Sequence, residues 1–322
     1  MNIFSLVSLL GIFILLYVVF STGKGGNYKP DPRDVPLIDD IDTYLKKSEA
    51  FFSDIKANTE KKIFWFSEDK AQTAFSVVYL HGFSAARQEV SPLSENIAKK
   101  LGANIFFTRL TGHGRSNDAM ADITVEAFLA DAVEALAIGK QIGKKVIVIG
   151  TSTGGTLATW LSAYDKSEAL AAIILISPNF GLADPKSKWL LKPAAKIWLP
   201  IIEGRNYQFT PSNEMQAKYW TWKYPTVALI PLMKLVSYVT ELPLHKITTP
   251  TLVLYSPEDK IVDVAQIKQV YQQLGTQHKK IIAMDGAKSS QHHVIAGDIL
   301  SPDTTDKVQT EILSFLESLP GL

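Results

Sequence analysis

The sequence predicts an α/β fold: a mostly parallel central sheet flanked by helices, with a helical cap insertion. Three observations point there. Short apolar runs alternate with segments of helical period along most of the chain. The runs are apolar at consecutive positions, the pattern of strands buried on both faces. One stretch, Pro178 to Pro243, breaks the alternation with several prolines and four of the six tryptophans, Trp189, Trp198, Trp220 and Trp222.

Taken in order, Ile3 to Phe20 is apolar apart from Ser5, Ser8 and Tyr17. A helix of that length spans about 27 Å, close to the hydrocarbon core of a bilayer. Met1-Asn2 supplies no basic side chain before it, and Val19 to Gly23 is a poor cleavage site, so an uncleaved single-pass N-terminal membrane anchor is expected. Lys24, Lys29 and Arg33 are too few to fix which side of the membrane the domain occupies. Residues 21 to 36, rich in Gly, Pro and Asp, read as a linker.

The alternation then begins. A helix is expected over Ile41–Ile55, strands over Lys62–Ser67 and Ser76–His81, and a helix over Pro92–Leu101 that stops at Gly102. Asn104–Thr108 is a strand. Thr124 is placed to cap a long amphipathic helix that runs to Ile142 and stops at Gly143. Strands follow at Lys145–Ile149, Ala172–Ile176, Thr251–Tyr255 and Lys280–Met284, with helices at 263 to 274 and 304 to 318. The division expected is an anchor at 1–22, a linker and leading helix at 23–60, a core from 61–177 and 244–322, and a cap or lid at 178–243.

Chemistry concentrates where strands end. Gly150-Thr151-Ser152-Thr153-Gly154 lies between the Lys145–Ile149 strand and a helical pattern. A serine on a sharp strand-to-helix turn stands clear of the sheet, and its neighbours two positions away must lack bulk. The helix start behind it offers unpaired N–H groups and a positive dipole end. The Thr153 N–H points at the same place, and the N–H of Phe83, in His81-Gly82-Phe83-Ser84, can face Ser152 from the neighbouring strand end. After the Thr251 strand comes Ser256-Pro257-Glu258-Asp259, and after the Lys280 strand comes Ser289-Ser290-Gln291-His292-His293. Serine, acid, histidine is the order expected when the nucleophile sits on such a turn. Either Glu258 or Asp259, and either His292 or His293, fits that order. His81 reads as structural, His245 and His278 as surface or packing residues, and Glu89, Glu95 and Asp285 as parts of a solvated face.

Composition removes other classes. With 33 Lys+Arg against 32 Asp+Glu there is no basic excess for nucleic acid. With no cysteine there is no disulfide and no thiol nucleophile. No cluster of ligand residues implies a metal, and the chemistry needs no cofactor.

With these motifs assembled, the chain resembles the α/β-hydrolase superfamily, most closely its monoglyceride-lipase and small bacterial carboxylesterase branch. The matching pieces are His81-Gly82-Phe83, Thr111-Gly112-His113-Gly114-Arg115-Ser116, Gly150 to Gly154, Ser256 to Val262 and His293-Val294, within roughly residues 60 to 318. The resemblance implies Ser152 as nucleophile, Asp259 as acid and His293 as base, with Phe83 and Thr153 as backbone oxyanion donors. It places His113 and Arg115 near the rim of the site. The activity implied is hydrolysis of a small-molecule acyl ester or lipid with an apolar acyl chain. The alternatives are acyl transfer, thioester or amide cleavage on the same three residues, or an inactive membrane-tethered binding module.

Overall fold

The computed structural model describes residues 26–31, 33, 40–165 and 167–321. Helix α1 (Ile41–Ala50) leads into strands β1 (Lys62–Phe64) and β2 (Thr73–Leu80). Helix α2 (Leu93–Lys100), strand β3 (Asn104–Phe107), helix α3 (Val125–Ile142) and strand β4 (Gly143–Thr151) follow. Next come α4 (Thr153–Tyr164) and β5 (Leu170–Ile176). An excursion then holds α5 (Ala195–Ile202), β6 (Asn206–Gln208), α6 (Glu214–Tyr219), β7 (Lys223–Pro225) and α7 (Leu229–Thr240). The chain closes with β8 (Thr251–Tyr255), α8 (Val264–Gln273), β9 (Lys279–Ala283) and α9 (Pro302–Glu317).

Seven strands form one sheet in the order β1-β3-β2-β4-β5-β8-β9. All neighbours are parallel except β1, which runs antiparallel to β3. Side chains alternate across the sheet, as strand geometry requires. Val78, Leu80, Val146 and Val148 pack on one face with residues of α3, α4 and α8. Val77, Tyr79, Ile147 and Ile149 pack on the other with α2 and α9. Both faces are therefore covered, which explains the unbroken apolar runs. Both outer strands begin with lysine, Lys62 on β1 and Lys279-Lys280 on β9.

Local signals in the sequence have identifiable partners. Thr124 accepts the N–H of Ala127 at 3.0 Å and caps α3 as expected. Gly143 stops α3 as expected, its N–H donating to Gly139 O, and also starts β4; a Cβ there would lie 2.3 Å from the Ser76 backbone nitrogen. The leading helix ends at Ala50, five residues before the expected stop. The excursion is not purely helical: β6 and β7 pair as an antiparallel ribbon, Tyr207 opposite Tyr224.

The localisation expected from the sequence is corrected. Among the described residues no helix is long and apolar enough to cross a membrane. The membrane anchor expected at 1–22 lies outside the described residues.

One buried ionic group ties the leading segment to the core. Glu134 on α3 takes Lys61 Nζ and Arg33 Nη1, each at 2.6 Å, and the Tyr44 hydroxyl at 3.0 Å. Asp131, one turn earlier, pairs with Arg33 at 2.6 Å and accepts the Thr111 N–H at 2.6 Å. Removing Glu134 leaves Lys61 buried without a counter-charge, while Arg33 keeps Asp131. Glu134→Ala is therefore expected to cost about 3 kcal/mol of stability, read as a fall in the urea midpoint at unchanged slope.

Candidate active site

Strand register brings the pieces together before any side chain is considered. Leu80 at the end of β2 lies beside Gly150 of β4, and Thr151 lies beside Ile176 of β5. Ser152 thus emerges at the carboxyl edge between two neighbouring strand ends. Its backbone is left-handed, φ 52° and ψ −114°, a conformation costly for any residue with a Cβ. Surrounding bonds hold it there. The Ser152 N–H donates to Ile176 O at 2.9 Å, and its carbonyl accepts from Asn179 N at 3.0 Å and Gly155 N at 2.9 Å.

The flanking glycines are required by close approach. A Cβ on Gly150 would lie 2.3 Å from the Gly154 carbonyl oxygen. A Cβ on Gly154 would lie 1.9 Å from Leu80 O, so α4 could not start against β2. Thr153 is the first residue of α4, where an N–H has no acceptor within the helix. Among the described residues, neither the Thr153 nor the Phe83 N–H donates to a protein acceptor.

Two acid–imidazole pairs arise from the loops after β8 and β9. The inner pair is His293 and Asp259, each 9% exposed, with Nδ1 donating to Oδ2 at 2.7 Å. Asp259 Oδ1 accepts the N–H groups of Ile261 at 2.8 Å and Val262 at 3.0 Å, which orient the carboxylate. The outer pair is His292 and Glu258, 3.5 Å apart and more exposed. His292 Nδ1 donates to Ala287 O at 3.0 Å, so that ring is turned toward its own loop.

The loop after β2 is held from behind by two buried histidines. His81 Nε2 accepts the Leu110 N–H at 3.1 Å, leaving its Nδ1–H to donate to Gly82 O at 2.9 Å. His113 Nε2 accepts the Ser84 N–H at 2.9 Å, and its Nδ1–H donates to Thr111 O at 2.9 Å. Burial pushes the His81 pKa down to about 4 and that of His113 well below its ordinary value, so both stay neutral as these bonds require. Arg115 is not in this cluster. Its guanidinium lies 4.1 Å from the Phe52 ring centre and pairs with Asp54 at 2.8 Å.

Ser152, His293 and Phe83 open onto one cavity of about 1200 Å³. Its far wall comes from the excursion and is aromatic: Trp189, Trp198, Tyr207, Phe209, Trp220 and Tyr224. Trp222 belongs to the same stretch but lies outside the lining and is 36% exposed. Among the described residues, no group of three or more His, Asp or Glu is placed to hold a metal ion.

The sequence reading missed one residue of this site. Glu89, expected on a solvated face, is 3% exposed and lines the cavity. Asp285, given the same expectation, is exposed, as are His245 and His278. Nothing in the run Arg87-Gln88-Glu89 marks the glutamate as buried, because its partners come from β2 and from the turn after it.

Comparison with known proteins agrees with this architecture. Residues 71–294 match the family described as serine aminopeptidase, S33, and the chain belongs to that family. It is an α/β-hydrolase of the monoglyceride-lipase and esterase branch, a class of carboxylic ester hydrolases. It is similar to the thermostable monoacylglycerol lipase of Bacillus sp. strain H-257, at 24% identity over 233 residues, covering 70% of this chain and 85% of the lipase. Among solved structures, one from the metagenome-derived lipolytic enzymes LipS and LipT superposes with a TM-score of 0.68 at 21% identity, covering 82% of this chain and all of that one. The monoacylglycerol lipase of Paleococcus ferrophilus gives 0.59 at 15% identity, covering 80% of this chain and 98% of the other.

The elbow itself can be tested without any substrate. Gly154→Ala drives a methyl into the Leu80 carbonyl, and overpacking of this kind costs about 3 kcal/mol. The expected result is a matching drop in unfolding free energy by urea titration.

Proposed function

We propose that the chain hydrolyses carboxylic esters of apolar acyl chains, with Ser152 as nucleophile, His293 as general base and Asp259 as its orienting acid. Ser152 Oγ attacks the acyl carbon while His293 Nε2 takes the hydroxyl proton. The carbonyl oxygen becomes an oxyanion at the Phe83 and Thr153 N–H groups. The carbon–oxygen bond to the alcohol then breaks, the alcohol leaves with the proton from His293, and an acyl-enzyme remains. Water repeats the sequence and releases the acid.

The single observation that carries this reading is the 2.7 Å bond from His293 Nδ1 to Asp259. It commits Nδ1 as a donor, which leaves Nε2 as the basic nitrogen. That nitrogen belongs to a ring lining the same cavity as Ser152. The aromatic wall supports an apolar acyl chain, and residues 178–243 act as the cap that keeps water from it. A monoacylglycerol is a natural first substrate, given the Bacillus lipase among the relatives.

The test is turnover of p-nitrophenyl esters of graded acyl length. Medium-length chains are expected to give the highest kcat/KM. Ser152→Ala should lower kcat by about 10⁶-fold, and Asp259→Asn by about 10⁴-fold with the fold intact. Turnover retained in Ser152→Ala would rule the assignment out.

A further inference from the structure

We propose that Glu89 is a second acid of the site, a positioning residue that holds the Gly82–Phe83 turn and places a carboxylate beside Ser152, where an imidazolium forms during attack. The proposal rests on the triad reading above and adds a group outside it.

The geometry is specific. Glu89 Oε2 accepts the Gly82 N–H at 2.7 Å and the Tyr79 hydroxyl at 3.0 Å. The Gly82 N–H lies on the peptide just before the one that carries the Phe83 N–H, so the carboxylate holds the turn from which that donor projects. Oε1 and the Ser152 Cβ lie against the same side of Gly82. A Cβ built on that glycine would sit 2.6 Å from Oε1 and 3.2 Å from Ser152 Cβ. Tyr79 in turn lies 3.1 Å from the hydroxyl of Thr151, the residue before the nucleophile. One carboxylate thus touches the turn before Phe83 and lies beside the nucleophile.

Its charge is not settled by a partner cation. Burial pushes Glu89 up to about 7, while the bond from Gly82, the charge of His293 and the bond from Tyr79 each pull it back down. The titratable groups facing it are Tyr79 from β2 and His293 from the loop after β9. Asp259 stands behind His293, and Glu95 on α2 acts on Tyr79. Arg87, on the same turn as Glu89, lies over the rings of Phe64 and Phe107.

The chemical consequence follows from where charge develops. Attack by Ser152 moves one proton to His293 and leaves an imidazolium. An ionised Glu89 attracts that imidazolium in a site of low exposure, where Coulomb interactions are strong. A protonated Glu89 does not. Glu89 exchanges its own proton with solvent and passes none to the substrate. The same carboxyl also titrates against folding. Its folded value, about 7, lies above the ordinary 4.5, so the stability it contributes is present below pH 4.5 and lost as pH rises through 7.

The deciding measurement is the rate at which a fluorophosphonate probe labels Ser152 in the full chain between pH 5 and pH 9, spanning the value of about 7 for Glu89. Wild type, Glu89→Gln and Glu89→Asp are compared. Glutamine mimics the protonated carboxyl and keeps an acceptor for the Gly82 N–H. Wild type and Glu89→Gln are expected to label at similar rates at the acid end and to separate above neutrality, with wild type roughly fivefold faster or more. Glu89→Asp should recover part of that separation. In parallel, the unfolding midpoint of Glu89→Gln should rise relative to wild type across the same interval. A rate ratio that stays flat with pH would reduce Glu89 to a structural bond and overturn the proposal, as would a ratio that inverts above neutrality. If the wild type is not labelled at any pH, the serine is not activated and the triad reading fails first; labelling with a flat ratio sinks only the role of Glu89.

Discussion

The left-handed backbone of Ser152 is the constraint on which the rest of the site depends. A residue with a Cβ stays in that region only when its surroundings leave no other choice. Here the Ile176 carbonyl takes its N–H, and the Asn179 and Gly155 N–H groups take its carbonyl. Those partners exist because β5 runs parallel to β4 with Ile176 opposite Thr151, and because two glycines let α4 start against β2. The sheet, the helix start and the turn are thus one packing solution.

Around that elbow the groups differ in how they are held. Asp259 is aimed by two backbone N–H groups of its own loop. The Gly82–Phe83 turn is held from three sides, by His81, His113 and Glu89. The two histidines are kept neutral by burial and serve as fixed donor–acceptor struts. Under the proposed reading this support matters, because an oxyanion site works only when its donors need not reorganise during reaction.

Much of this was legible in the sequence because it rests on local rules. The strands alternate with helices, Thr124 caps where a threonine should, and the glycine spacing about Ser152 has a direct steric cause. The parts that were not legible depend on distant partners. The residues alone leave His292 and His293 open, and only the resemblance points to His293, because which ring faces Asp259 is a matter of loop conformation. Glu89 sits in a polar run and is buried only because Tyr79 and Gly82 come to it. The β6–β7 ribbon was hidden because strands of three residues are too short to carry a readable alternation.

The lysines that open both outer strands bear on how copies of this chain meet one another. A parallel sheet leaves a row of unused backbone donors and acceptors on each flank, and a second molecule can continue the ladder there. Here one flank is a three-residue strand beginning at Lys62, and the other begins with Lys279-Lys280. Lys280 pairs with Glu311 at 3.0 Å and Lys279 donates to the carbonyls of Tyr271, Gln272 and Leu274, so a strand added at that flank would have to pass charged side chains already held in place. Charged side chains on both flanks therefore work against one molecule's sheet continuing into the next.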